Sequence, residues 1–178
     1  MKLLPTAQKV AKSIREYALS IVRCDPEDAL LIAKGYGSFL WANHVGILSD
    51  VEFENKISEN FTYLLNGRKC SGEFDTLHLM TNALTSGGHT GVVIRLLNHS
   101  IGDGLAVLDD LPQLVINRLP GKITKLSRIR KSSGIGTISE IIKIGCQYKT
   151  LILHIHPDDI YSSIAAILLS KLGVNVCM

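Results

Sequence analysis

The chain has 178 residues, of which 46% are hydrophobic, and a formal net charge of +3. This length suits one well-packed domain with a small appendage and is too short for two full α/β domains. The weak positive charge and the 6% aromatic content argue against nucleic-acid binding, which uses basic patches and rings that stack on bases. No apolar stretch approaches the roughly 20 residues of a membrane span, and the first residues lack the pattern of a secretory signal. We therefore expect a soluble, cytoplasmic protein.

The four cysteines are dispersed singly along the chain, as Cys24, Cys70, Cys146 and Cys177. Because no Cys-x-x-Cys pair occurs, they match neither a zinc ribbon nor a disulfide framework. We expect them to be reduced and structural.

Two helices are predicted at the start of the chain. Apolar residues recur with the 3.6-residue period of an amphipathic helix over 6–23. The Asp-Pro-Glu segment at 25–27 supplies a cap, a proline for the first helical position and an early acid. It begins a second helix that runs toward Ala42 and is weakened by Gly35 and Gly37.

A third helix completes the helical front of the chain. Ser49 and Glu52 have the spacing of a capping box, and the helix runs to about Leu65, before the Asn-Gly pair at 66–67. No clear strand interrupts this region. The sequence predicts a helical N-terminal extension over residues 1–70.

From Phe74 onward, short apolar runs alternate with helical patterns, which is typical of βα units around a parallel sheet. The predicted strands lie at 75–80, 104–108, 122–126, 150–155 and 174–178. The predicted helices lie at 89–99, 137–147 and 158–172, with a further candidate at 111–119. We expect an α/β fold in which residues 71–178 form a Rossmann-like parallel sheet with flanking helices.

A glycine-rich turn follows the first predicted strand and leads into a helix. Its sequence is Ser86-Gly-Gly-His-Thr-Gly91. Such a turn lets backbone N–H groups approach a phosphate at the start of the helix, although Gly87 and Gly88 can equally make a tight connection that binds nothing. The segment also matches a dinucleotide fingerprint in which serine replaces the first glycine, and Asp109 would then bind a ribose.

A polar corner ends the apolar run that begins at Leu151, with the sequence His-Ile-His-Pro-Asp-Asp. His154 and His156 are two residues apart on a strand and point to the same face. His156 is nearer the carboxyl end, where open α/β sheets bind ligands, so it is the candidate catalytic residue. His154 is predicted to be a hydrogen-bonded core histidine. Pro157 suits the first turn of the next helix.

The two aspartates of this corner have two interpretations. Asp158 and Asp159 offset the positive end of the following helix and are also candidate substrate-binding residues. His-Pro-Asp-Asp occurs in zinc-dependent sugar N-deacetylases, which gives the alternative of a zinc hydrolase. Catalytic zinc takes three protein ligands, and this neighbourhood supplies two unless His78 or His89 folds close.

Two surface features have further interpretations. One short segment contains a cluster of basic residues, Lys122, Lys125, Arg128, Arg130 and Lys131. These residues can bind phosphates or an anionic bilayer, or they can form a solvated turn. The aromatic segments 39–41 and 61–63 can supply an apolar docking patch, which burial of Trp41 would weaken. The alternative prediction is that these aromatic side chains are buried in the core.

The glycine turn Ser86-Gly-Gly-His-Thr90 and the corner Leu153-His-Ile-His-Pro-Asp-Asp159, in this order, resemble the N-terminal domain of a bacterial glycosyltransferase with two Rossmann domains (GT-B). The resemblance covers residues 74–178. It departs from the family pattern at Gly91, where a larger residue is expected, and at the end of the sequence, which follows a strand directly.

The resemblance implies a function and a set of roles. Such enzymes act in surface polysaccharide synthesis. They bind the nucleotide-sugar donor mainly in their second domain, which is absent here, and a saccharide or lipid-linked acceptor in their first domain. The chain is then expected to be inactive alone and to need no metal or other cofactor. The expected cleft residues are Gly87, Gly88, His89, Thr90, Asp158 and Asp159. His156 would contact the donor sugar or the charge that develops on the leaving phosphate, and the segment 122–131 would meet a lipid phosphate or the inner membrane.

Overall fold

The sheet defines the fold of this protein, whose computed structural model describes residues 3–43, 45, 49–129 and 133–177. Five parallel strands lie in the order β3-β2-β1-β4-β5. Their bounds are Phe74–Met80 for β1, Gly104–Val107 for β2, Lys125–Arg128 for β3, Tyr148–His154 for β4 and Asn175–Cys177 for β5. The predicted α/β class with a Rossmann-like parallel sheet, flanking helices and an N-terminal helical region is confirmed.

Helices precede the sheet and connect its strands. Their bounds are Leu3–Ile21 for α1, Pro26–Asn43 for α2, Val51–Ser58 for α3, Gly88–His99 for α4, Gln113–Ile116 for α5, Gly134–Gly145 for α6 and Ile160–Lys171 for α7. A 3-10 helix, Glu59–Leu65, continues α3. None of the helices within the described ranges is long and apolar enough to cross a membrane.

The two faces of the sheet pack into two separate apolar clusters because side chains alternate along each strand. In β1, Leu77 and Leu79 join the larger cluster, which also holds the apolar residues of α6, α7 and the N-terminal helices. Met80 joins the smaller cluster under α4 and α5. The helical front therefore shares a core with one face of the sheet, and α2 and α3 pack directly on α7.

The start of α3 differs from the predicted capping box. Asp50, not Ser49, caps this helix by accepting a hydrogen bond from the Phe53 N–H (3.0 Å). Asp50 also accepts from Arg15 Nε (2.9 Å) and from the hydroxyl of Tyr36 (2.8 Å). Burial alone would raise the pKa of Asp50, but these donors outweigh it and lower the pKa. One carboxylate thus joins α1, α2 and α3, which a local spacing rule does not anticipate.

Two other predicted boundaries were wrong for physical reasons. The third strand was expected at 122–126, but β3 spans Lys125–Arg128, because an edge strand with exposed polar residues lacks the apolar run of an inner strand. Pro157 was expected in the first turn of the last long helix. It precedes α7, whose N-cap is Asp159.

The cysteine prediction was wrong for one pair. Cys70 and Cys146 form a disulfide, whereas Cys24 and Cys177 are free and exposed. Each bonded cysteine lies just before one of two neighbouring parallel strands, β1 and β4, whose first residues pair as Phe74 and Tyr148. The sheet brings together two residues that are far apart in sequence.

Glu27 caps α6 from a different helix. Its two carboxylate oxygens accept hydrogen bonds from the backbone N–H groups of Gly134 (2.8 Å) and Ile135 (3.1 Å). We expect Glu27→Ala to lower the free energy of unfolding by about 2 kcal/mol, because the first turn of α6 loses its charged acceptor. Urea titration measures this. The control Asp28→Ala removes an exposed acid from the same turn of α2; equal losses from both variants would contradict the capping role.

Candidate functional site

The glycine turn and the histidine corner lie at the same edge of the sheet. β1 and β4 are neighbours, with Met80 paired to His154, so the segments that follow them start side by side. A cavity of about 440 Å³ is lined from one side by Gly87, Gly88 and His89 and from the other by His156. The structure therefore brings together the two motifs that sequence reasoning singled out.

The glycine turn forms the start of α4. Gly87 is the N-cap, in extended conformation with no side-chain hydrogen bond to the helix, and Gly88 is the first helical residue. A Cβ at Gly88 would meet no atom within 4 Å, so packing does not require glycine there. His89 is exposed and Thr90 is buried, and both line the cavity. Backbone N–H groups at this helix start are thus available to an anion in the cavity.

His156 is held by hydrogen bonds at both its backbone and its ring. Its backbone N–H donates to Thr81 Oγ1 (3.0 Å), and its ring Nδ1 lies 2.6 Å from Asp158 Oδ1. Since a carboxylate only accepts, Nδ1 carries a proton and donates it to Asp158, while Nε2 lies on the other side of the ring. The ring is 45% exposed and lies edge-on to Trp41, with centroids 5.7 Å apart.

Asp158 and Asp159 occupy different environments. Asp158 also accepts from Ser38 Oγ (3.0 Å); burial would raise its pKa, but the hydrogen bonds from His156 and Ser38 lower it. Asp159 is 5% exposed and accepts from Thr81 Oγ1 (2.6 Å) and from Ser162 through its N–H (3.1 Å) and hydroxyl (2.8 Å). Asp159 thus ties the start of α7 to the end of β1.

A second cavity, of about 320 Å³, extends the site toward the helical front. Glu54 of α3 and Ser49 line it together with His89, His154 and His156. Burial raises the pKa of Glu54, although a hydrogen bond from Ser49 Oγ (3.2 Å) opposes this. Sequence reasoning missed Glu54, because a glutamate early in a helix has a sufficient local explanation. The helical front therefore contributes a carboxyl group to the site.

His154 is hydrogen-bonded, as predicted, but its partner was not foreseen. Its Nε2 lies 3.0 Å from Nδ1 of His78, and His78 Nε2 lies 3.3 Å from Asp103 Oδ2. His78 is 2% exposed, whereas His154 is partly buried and lines both cavities. The alternation of β1 places His78 on the face opposite Leu77 and Leu79, which is the only sequence signal for this arrangement.

The zinc interpretation requires three side chains placed around one ion. Among the residues that the structure describes, no group of three histidine, cysteine, aspartate or glutamate side chains is placed to hold a metal ion. His78, one of the two histidines that could have completed such a set, contacts His154 and Asp103 instead of His156.

Three side chains of the basic segment are exposed and donate hydrogen bonds within the protein. Lys122 Nζ donates to the Asn98 carbonyl (2.6 Å), Lys125 Nζ to Gln147 Oε1 (3.0 Å) and Arg128 Nη2 to the Leu111 carbonyl (3.4 Å). Arg130 and Lys131 lie outside the described residues.

Of the predicted core aromatics, Phe61 is buried, but Trp41 and Tyr63 are 47% and 49% exposed. Trp41 packs beside His156 at the site. The core interpretation is thus correct for Phe61 and wrong for Trp41 and Tyr63.

Comparison of the chain with models of known protein families, with curated proteins and with solved structures finds no match.

Proposed function

We propose that this chain is the acceptor-side domain of a two-domain GT-B glycosyltransferase that transfers a sugar from a nucleotide-sugar to a saccharide or lipid-linked acceptor in surface polysaccharide synthesis. The main support is the shared cavity of the glycine turn and the histidine corner. In the strand order of this sheet, the chain changes direction between β1 and β4. Ligands of open α/β sheets bind at the carboxyl ends of the strands at that point.

The chemistry of the site fits a sugar diphosphate. The start of α4 offers backbone N–H groups without a side-chain cap, which suit the charge of a diphosphate. Asp158 fixes the orientation of the His156 ring, which leaves Nε2 for a hydrogen bond with the sugar. Since the helix start and fixed hydrogen-bond donors supply the stabilisation of the leaving group, the proposal includes no metal or other cofactor.

A second domain and the acceptor occupy the rest of the cleft. The donor binds mainly to that second domain, so the chain alone transfers no sugar. Exposed Lys122, Lys125 and Arg128, with the segment that follows them, then meet a lipid phosphate or the inner membrane surface. Glu54 and the histidines of the second cavity face the acceptor.

A matched pair of variants at Gly88 tests the diphosphate site. Gly88 is the first residue of α4, where proline is tolerated, and Gly87 already has the extended conformation that a following proline requires. Gly88→Pro removes one N–H donor, whereas Gly88→Ala keeps it, and a Cβ fits at this position. We expect inorganic pyrophosphate to bind the Gly88→Pro variant about tenfold more weakly, since a charged hydrogen bond contributes about 1.5 kcal/mol.

NMR titration of the labelled protein with inorganic pyrophosphate provides the measurement. The expected result is a set of amide shifts confined to the glycine turn and the His156 corner, unchanged in Gly88→Ala and weakened in Gly88→Pro. Equal binding by both variants, or pyrophosphate-induced shifts only outside this edge of the sheet, would contradict the proposal.

A further inference from the structure

Three polar side chains form a hydrogen-bonded row beneath the cleft. Asp103 lies just before β2, His78 in the middle of β1, and His154 at the end of β4. Asp103 is 9% exposed and His78 is 2% exposed. The row lies on the face of the sheet that α4 covers, and it reaches the cavities at His154. It thus connects the interior to the proposed site.

The direction of the hydrogen bonds follows from the carboxylate at one end. Asp103 Oδ2 accepts, so His78 Nε2 carries a proton, and Nδ1 of the neutral His78 ring has the lone pair. That lone pair accepts from His154, whose Nε2 therefore carries the proton. The remaining nitrogen of His154, Nδ1, is left unprotonated.

The electrostatics favour the neutral rings that this row requires. Burial lowers the pKa of His78, and Asp103 offsets this only in part. Burial and the nearby charges of His78 and His89 lower the pKa of His154 to about 4. Near neutral pH both rings are therefore uncharged, and each has one donor and one acceptor nitrogen.

We propose that Asp103 and His78 are positioning residues that hold His154 in its Nε2–H tautomer, so that His154 Nδ1 accepts the proton of a sugar hydroxyl bound in the cleft. The row itself is independent of any ligand. The inference depends on the proposed function only for the identity of that hydroxyl.

Each proton that moves along the row has a defined donor and acceptor. As the hydroxyl oxygen attacks the anomeric carbon of the donor sugar, an oxygen electron pair forms the new C–O bond, and the bond from that carbon to the diphosphate oxygen breaks, so that the nucleoside diphosphate leaves with its electron pair. The O–H bond of the hydroxyl breaks at the same time, and its proton passes to His154 Nδ1. The proton on His154 Nε2 then passes to His78 Nδ1. His154 is neutral again, and the positive charge lies on His78, 3.3 Å from the Asp103 carboxylate. An opposite charge at this distance stabilises the imidazolium.

Nitrogen-15 NMR of the imidazole rings tests the assignment directly. In the wild-type protein at neutral pH we expect His78 and His154 each to be protonated at Nε2 only, with signals assigned by their loss in His78→Gln and His154→Gln. Protonation of His154 at Nδ1 in the wild type would overturn the inference.

A variant of the carboxylate tests whether Asp103 determines the tautomer. In Asp103→Ala the acceptor is gone, so we expect His154 to show a mixture of the two neutral tautomers. The matched control Asp110→Ala removes an exposed carboxylate beyond the end of β2 and should leave the ring signals unchanged. An unaltered His154 tautomer in folded Asp103→Ala would overturn the positioning role. Failure of the pyrophosphate experiment would not affect either result, so the two proposals fail separately.

Discussion

Gly37→Ala is expected to lower the free energy of unfolding by about 3 kcal/mol and to move Trp41 away from His156. A Cβ at Gly37 would lie 2.8 Å from the Pro157 carbonyl oxygen and 2.9 Å from Asp158 Cα. Both are backbone atoms of the histidine corner, and they cannot rotate aside. Either α2 or the corner must shift, so the variant loses packing and changes the site.

Gly35 provides the matched control for Gly37. Both glycines lie within α2, but a Cβ at Gly35 would meet no atom within 4 Å. We expect Gly35→Ala to stabilise the protein by about 1 kcal/mol, because alanine favours helix over glycine. Urea unfolding followed by tryptophan fluorescence measures both variants, and the chain has a single tryptophan, Trp41. Similar stability changes in the two variants would show that the close approach of α2 to the corner is absent.

Asp159→Ala is the second substitution with a large expected effect, a loss of about 3 kcal/mol. Asp159 is buried and accepts hydrogen bonds from the Thr81 hydroxyl and from the N–H and hydroxyl of Ser162. Its removal takes away the cap of α7 and leaves buried donors without an acceptor. Because Thr81 also accepts from the His156 N–H, the corner should lose its position as well.

Asp158→Ala is the control for this second prediction. Asp158 is the neighbouring carboxylate and is partly exposed, so its loss should cost less than about 1.5 kcal/mol in a urea titration. Amide shifts at His156 and Thr81 then show whether the corner has moved in each variant. If Asp159→Ala were no less stable than Asp158→Ala, the network around Thr81 would not carry the stability that we assign to it.

The inner strands were predictable because burial on both faces requires continuous apolar runs, as in Leu151–Leu153 of β4. β3 was misplaced because it lies at the edge of the sheet and is largely exposed. The glycine turn and the His156 corner were found because each follows a strand directly. Parallel strands carry such segments to one edge, so sequence order alone places them together.

The rest of the site depends on contacts between segments that are distant in sequence. Glu54 lines a cavity with the histidines because α3 packs on α7. Trp41 contacts His156 because a glycine at position 37 allows α2 to approach the corner. The Asp103–His78–His154 row joins the start of β2, the middle of β1 and the end of β4 through side chains. No rule based on periodicity or residue spacing predicts these contacts.

The starts of the longer helices in the sheet region are not electrically equivalent. α6 already holds the carboxylate of Glu27, and α7 holds that of Asp159. α4 begins at Gly87 with no such internal counter-charge from its cap. An anionic ligand is therefore repelled from the starts of α6 and α7 and attracted to the start of α4. This difference orients the ligand before it contacts any specific side chain.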